Sequence, residues 1–171
     1  MSAVLIALYE EDNAPHVVLT RRSRNLRSHT WEVSFPGGRI DPEDRSPWAA
    51  AIREAQEEVA LDPALPRFVS ELDRFVTVGS GSLVHPMVAI LDGRPDLTAS
   101  PDEVEHILHV PLDELLLDEV WREELWPIRG TERAISFFEL HGDTVWGATG
   151  AMLRQLLSIA TGSGLSDELT Y

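Results

Sequence analysis

The chain has 171 residues, 29 of them acidic and 14 basic, for a formal charge of −15, and 43% of it is hydrophobic. That length makes one domain with its own core, and the absence of cysteine excludes disulfide frameworks, thiolate zinc sites and cysteine nucleophiles. The acidic balance argues against general nucleic-acid binding, which rests on Lys and Arg, and since all 14 basic residues are arginine, Schiff-base and phosphate-loop lysines are excluded too.

Two short β-branched-rich runs, residues 4–9 and 16–22, flank a turn-like Glu-Asp-Asn-Ala-Pro stretch and predict a hairpin. The apolar opening has no basic lead and is followed by Glu10, Glu11 and Asp12, so it does not read as a secretory signal. No run approaches the roughly 20 apolar residues of a membrane span. The expectation is a cytoplasmic protein with no membrane or nucleic-acid partner. A third strand over 31–35 ends at Pro36-Gly37-Gly38, and 39–45 is a charged loop. Ser46-Pro47 has the composition of a helix start, a hydroxyl cap before proline, and the helix should run to about Ala60. Strands are expected over 68–78 and 83–91 about a turn at 79–82, then over 107–110 and 134–140. A short helix is expected over 111–120, and a second long one over 148–160. Residues 162–171 read as a loose tail. The order predicts a mixed α/β domain over 1–161 without regular alternation. Trp121 and Trp126 suit a core or a homodimer contact.

The first helix carries the densest charge. At 100° per residue Glu54, Glu57 and Glu58 share one face and Trp48, Ile52, Ala55 and Val59 the opposite one. An amphipathic helix with a solvated acidic side accounts for that much. Carboxylates at i+3 and i+4 repel, however, and Arg53 is the only cation in the helix. Three such groups together form a place for a hard divalent ion with oxygen ligands. Upstream, Gly37 and Gly38 allow backbone to approach a ligand closely. Arg21, Arg22, Arg24, Arg27 and Arg39 put five of the 14 arginines within 19 residues. They form either a solvated loop or a set of phosphate-gripping forks. Taken together, a carboxylate cage and an arginine cluster about a glycine turn point to a metal-bridged polyphosphate.

Read from Gly38, the pattern G-x5-D-x8-R-E-A-x-E-E-V-A resembles the box of the Nudix hydrolases, with Gly38, Arg53, Glu54, Glu57 and Glu58 in place. Asp44 stands for the box's first glutamate, one residue is added to the loop, and Ala60 replaces a glycine. The first two departures resemble the coenzyme A pyrophosphatase branch. So does the upstream run, with Leu19, Thr20, Arg22, Ser23, Arg27, Val33, Phe35, Pro36, Gly37 and Gly38 matching and Trp31 replacing a glycine. Val145-Trp146-Gly147-Ala148-Thr149 is similar to that branch's W-G-x-T segment. The resemblance implies an α/β/α sandwich around a mixed sheet. It implies Mg²⁺ or Mn²⁺ on Glu54, Glu57, Glu58 and the Gly38 carbonyl, with Arg53 orienting a box carboxylate. Arg22, Arg27, Arg39, Gly37, Gly38 and Trp31 would face a nucleotide diphosphate such as coenzyme A. The implied reaction is diphosphate hydrolysis, with another nucleoside diphosphate derivative or a non-catalytic nucleotide sensor as alternatives. The base would be Glu57, Glu58, Glu103 or Glu105. Trp31 is expected at the pocket rim rather than in the core.

Overall fold

The computed structural model describes residues 1–24, 31–78, 81–128 and 130–163. The expectations placed on Arg27, on the turn at Gly79 and Ser80, and on residues 164–171 lie outside the described residues. Strands β1 (Ser2–Glu11) and β2 (Ala14–Arg22) form the expected hairpin, turned at Asp12 and Asn13 with φ of 53° and 60°. Short polar side chains tolerate that left-handed region. The pair holds only near the turn, from Leu8↔Val17 to Glu11↔Ala14. Beyond it the strands splay, and the following segment fills the gap: β3 (Val33–Ser34) pairs with β2 at Thr20 and Arg21, and β4 (Gly37–Arg39) pairs with β1 from Ser2 to Val4. Gly37-Gly38, expected as a turn, is therefore strand. A Cβ on Gly37 would lie 2.4 Å from the Ala3 carbonyl oxygen, too close to fit.

β5 (Arg67–Glu71) and β6 (Phe75–Val76) both pair antiparallel with β7 (Leu83–Ile90), which runs parallel to β1. The single strand expected over 68–78 breaks opposite Pro86, which has no N–H for the ladder and only accepts from Leu72. β8 (Val104–Pro111) completes this mixed sheet along the other side of β2.

Helix α1 (Pro47–Val59) begins as expected: the Ser46 hydroxyl accepts from the Ala49 N–H and proline occupies the first turn. It ends at Ala60, in the left-handed conformation. Ala50, Ala51, Ala55 and Val59 bury α1 against Ala3, Leu5, Ala7 and Tyr9. Helix α2 (Gly147–Thr161) packs Met152, Leu153, Leu156 and Leu157 against Ile6, Val17, Val88 and Phe138 on the opposite side. The expected helix over 111–120 is a single 3₁₀ turn at Glu114–Leu116. Beside α2 lies a second, antiparallel sheet, with β10 (Thr131–Leu140) between β9 (Trp121–Ile128) and β11 (Asp143–Val145). β9 and β11 were not expected; charges and Pro127 break the alternation of β9. Trp121 joins the core, and Trp126 lies among Phe137 and Trp146 on the outer face. The sandwich thus has helices on both sides of the mixed sheet, with three further strands sharing one of them.

Candidate active site

The crossing of α1 over the splayed hairpin sets two of its glutamates directly on β4. Glu58 is only 3% exposed. Its Oε2 accepts the Gly37 N–H at 3.0 Å, and its Oε1 faces Arg22 Nη1 at 3.8 Å. Glu54 closes over Gly38, where a Cβ would lie 2.5 Å from the carboxylate. This corrects the expectation of an acidic face turned from the core. The packed stripe is rotated toward Ala50 and Ala51, small enough to bring the helix backbone close to β1, and Glu58 goes in with it. Glu57 stays outside, 55% exposed.

Burial sets the electrostatics. Loss of water pushes the Glu58 carboxyl up to about 7, against the lowering pull of the Gly37 amide and of Arg22, with Glu54 and Glu103 adding repulsion. The Glu54 carboxyl is raised for the same first reason, desolvation. Arg53, the one cation of the helix, is the hub of the outer half. Its Nε and Nη2 grip the two Asp44 oxygens at 3.1 and 3.0 Å, and Nη1 reaches Glu54 at 3.0 Å and Glu57 at 3.1 Å. Nη2 also donates to the Arg39 carbonyl at 3.0 Å. Arg39 thus contributes a backbone oxygen, and its side chain is exposed. The Arg53 fork holds the Asp44 carboxyl below the usual carboxylate range, helped by the Asp41 amide. Asp44 closes the charged loop onto the helix.

The chain after α1 brings one of the two candidate outer acids inward. Thr98 N–H donates to the Val59 carbonyl and Ser100 N–H to that of Glu58, while the Glu103 carbonyl accepts from Ser23 beside Arg22. Glu103 is half-buried and near enough to repel both Glu54 and Glu58. Glu105 is exposed on β8.

Trp31 is 43% exposed, so the ring is outside the core. The Arg24 guanidinium lies 3.8 Å from the ring centroid and that of Arg21 4.9 Å. Arg21 is held by Asp143 of β11 at 3.2 Å, whereas the next residue, Arg22, faces Glu58 from the α1 side. At φ 67° Trp31 donates to the Arg22 carbonyl, and the Arg22 N–H donates to Glu32. Those bonds describe a bulge whose first residue is left-handed, a place usually given to glycine.

The donor set fits a divalent ion. It consists of oxygens alone, Glu58 is buried and Glu54 partly buried with repulsion to relieve, and Gly38 leaves room where a Cβ would intrude. Among the described residues no three acidic or imidazole side chains already converge closely enough to hold an ion, since Glu57 is turned to Arg53. One pair had no sequence signal: the buried His85 Nδ1 lies 2.7 Å from Glu71, fourteen residues away on a neighbouring strand.

The NUDIX domain family profile matches residues 1–129. The chain is 38% identical over 159 residues to Nudix hydrolase 22, chloroplastic, of Arabidopsis thaliana, which covers 89% of this chain and 52% of that protein. It is 37% identical over 159 residues to the uncharacterized Nudix hydrolase NudL of Escherichia coli K12, covering 91% and 80%. The chain spans between half and three-fifths of the length of the two plant relatives. Among solved structures, a Caenorhabditis elegans Ap4A hydrolase complex aligns with a TM-score of 0.55 at 20% identity, over 66% of this chain and 81% of that one. The NUDIX domain of Shewanella oneidensis NrtR, complexed with ADP ribose, aligns at 0.52 and 17% identity, over 67% and 74%. Among the described residues no helix is long and apolar enough to cross a membrane.

Proposed function

The chain belongs to the Nudix hydrolase family, and from that membership we propose that it hydrolyses the diphosphate bond of a nucleotide derivative with Mg²⁺ or Mn²⁺. The observation that supports this most directly is the seating of Glu54 and Glu58 on the Gly37-Gly38 backbone with Arg22 facing them. Glu54, Glu57 and Glu58, with the Gly38 carbonyl, would hold the metal, which when bound supplies charge neutralisation at the phosphate oxygens and acidifies water. Arg53 orients Glu54 and Glu57 through one nitrogen while Asp44 fixes its other edge. Glu103 takes the proton of the attacking water, because it stands beside the buried pair without being tied to the glycine strand. Arg22 and Arg27 meet the diphosphate, and Arg39 and Trp31 border the approach.

Coenzyme A or an acyl derivative is the substrate favoured by the arginine and glycine pattern upstream of the box. Cleavage would give 3′,5′-ADP and 4′-phosphopantetheine or its acyl form. ADP-ribose is the second reading, favoured by Trp31 standing at the branch's glycine position. The test is product analysis of the purified protein with Mg²⁺ or Mn²⁺ against coenzyme A, ADP-ribose, NADH and diadenosine polyphosphates. A higher kcat/KM for ADP-ribose than for coenzyme A would overturn the subfamily reading, and no metal-dependent cleavage of any of them would overturn the activity.

A further inference from the structure

Arg22 is placed oddly for a residue that only waits for substrate. Its guanidinium stands 3.8 Å from a carboxylate oxygen that is almost wholly buried, and no hydrogen bond closes the gap. Its Nε–H is buried and has no hydrogen-bond partner. Glu58's other oxygen is satisfied by the Gly37 amide, so Arg22 is the only cation facing the inner half of the site among the described residues. Arg53, the other cation nearby, is consumed by Asp44, Glu54 and Glu57.

The backbone of Arg22 is fixed on both sides. Its N–H donates to Glu32 at 3.0 Å and its carbonyl accepts from Trp31 at 3.3 Å, which makes it the single residue opposite the two of the bulge. A bulge of this kind re-aims the side chain it faces. The stacking of Trp31 on Arg21 and Arg24 holds the bulge from outside. The sequence thus spends a strained left-handed tryptophan on aiming one arginine at a buried acid.

We propose that Arg22 is a placeholder cation at the metal site, which neutralises Glu58 until a divalent ion arrives and is then released to grip the diphosphate. Metal and guanidinium compete for the same carboxylate, so the resting protein holds neither tightly. Once an ion has taken over Glu58, the freed fork, with its Nε–H still unbonded, is available to grip a phosphate with two parallel hydrogen bonds. Metal binding and diphosphate binding are thereby coupled in order through one side chain. The inference rests on the metal-site reading above and adds the route by which the ion and the diphosphate succeed one another.

The test measures two ligands on the full chain. Mn²⁺ binding is followed without nucleotide through the free-ion electron paramagnetic resonance signal. Binding of α,β-methylene-ADP is followed at saturating Mn²⁺. Arg22→Ala should bind Mn²⁺ about five- to tenfold more tightly than wild type and the methylene diphosphate at least about tenfold more weakly. Arg22→Lys, which restores the charge, should return Mn²⁺ affinity to within about twofold. The gain should persist at 0.5 M NaCl, where a merely long-range charge effect is screened. Arg22→Gln carries the same expectation should the alanine variant fail to fold. Opposite signs for the two ligands support the placeholder role, because a structural defect weakens both. Mn²⁺ affinity unchanged or reduced in Arg22→Ala and Arg22→Gln, with binding abolished in Glu58→Gln, overturns the placeholder while leaving the metal site standing. Mn²⁺ affinity unaffected by Glu58→Gln overturns both.

Discussion

Glu58 combines burial, a single amide donor and a distant arginine, and its proton affinity follows. With the folded carboxyl near pH 7 and the unfolded one near 4.5, the native state binds the proton more strongly. Without metal, stability should therefore fall as pH rises from about 4.5 to about 7 and level off above, by on the order of 3 kcal/mol at most. Melting of metal-free protein at pH 5.5 and 8 should show the drop, and Glu58→Gln should lose most of it. Excess Mg²⁺ should flatten it in wild type. A second residue-scale expectation concerns Trp31. Glycine relieves a left-handed backbone strain of about 1 kcal/mol, while removing the ring forfeits two arginine contacts of similar size. Trp31→Gly should keep its melting temperature within a few degrees of wild type, and Trp31→Ala, which loses the ring and keeps the strain, should melt lower than Trp31→Gly.

The start of helix α1 was legible to the residue, because Ser46 and Pro47 are local signals that act through the backbone alone. The helix's rotation about its own axis was not. Trp48 and Ile52 are the largest apolar residues on it, yet small Ala50 and Ala51 form the contact, since what decides is how near the helix can come to β1. That proximity carries Glu58 inward. The role of Gly37-Gly38 was half legible: the need for glycine was clear, but pairing with a strand 35 residues upstream leaves no local trace. Gly38→Ala makes the element-scale test. Its methyl would meet the Glu54 carboxylate, so Mn²⁺ affinity should drop at least about tenfold while far-ultraviolet circular dichroism stays unchanged.

Across the molecule, the composition and the two long amphipathic helices sufficed for a mixed α/β domain. The three-stranded sheet was missed because its first strand offers neither alternation nor a clean turn at its start. Its link to the main sheet was invisible for another reason: Arg21 and Asp143, a largely desolvated pair, are 122 residues apart. Removing one member of such a pair leaves the other charged and desolvated. Asp143→Ala should lower stability by about 3 kcal/mol in chemical denaturation. Mn²⁺ affinity should be unaffected, since Arg21 points away from Glu58.

The Gly37 amide is, among the described residues, the one backbone proton that rests directly on the most buried acid of the site. Glycine nitrogens resonate apart from most others, and the chain has only 11 glycines to sort. In a ¹⁵N–¹H spectrum this single cross-peak should act as an internal gauge. It should shift downfield as the Glu58 proton leaves, and should move again when an ion draws the carboxylate away. A titration of the metal-free protein from pH 5.5 to 8 would thus read the charge of a side chain that has no signal of its own in that spectrum. A Gly37 peak that stayed fixed through both pH and Mg²⁺ would mean that the amide and the carboxylate are not in contact.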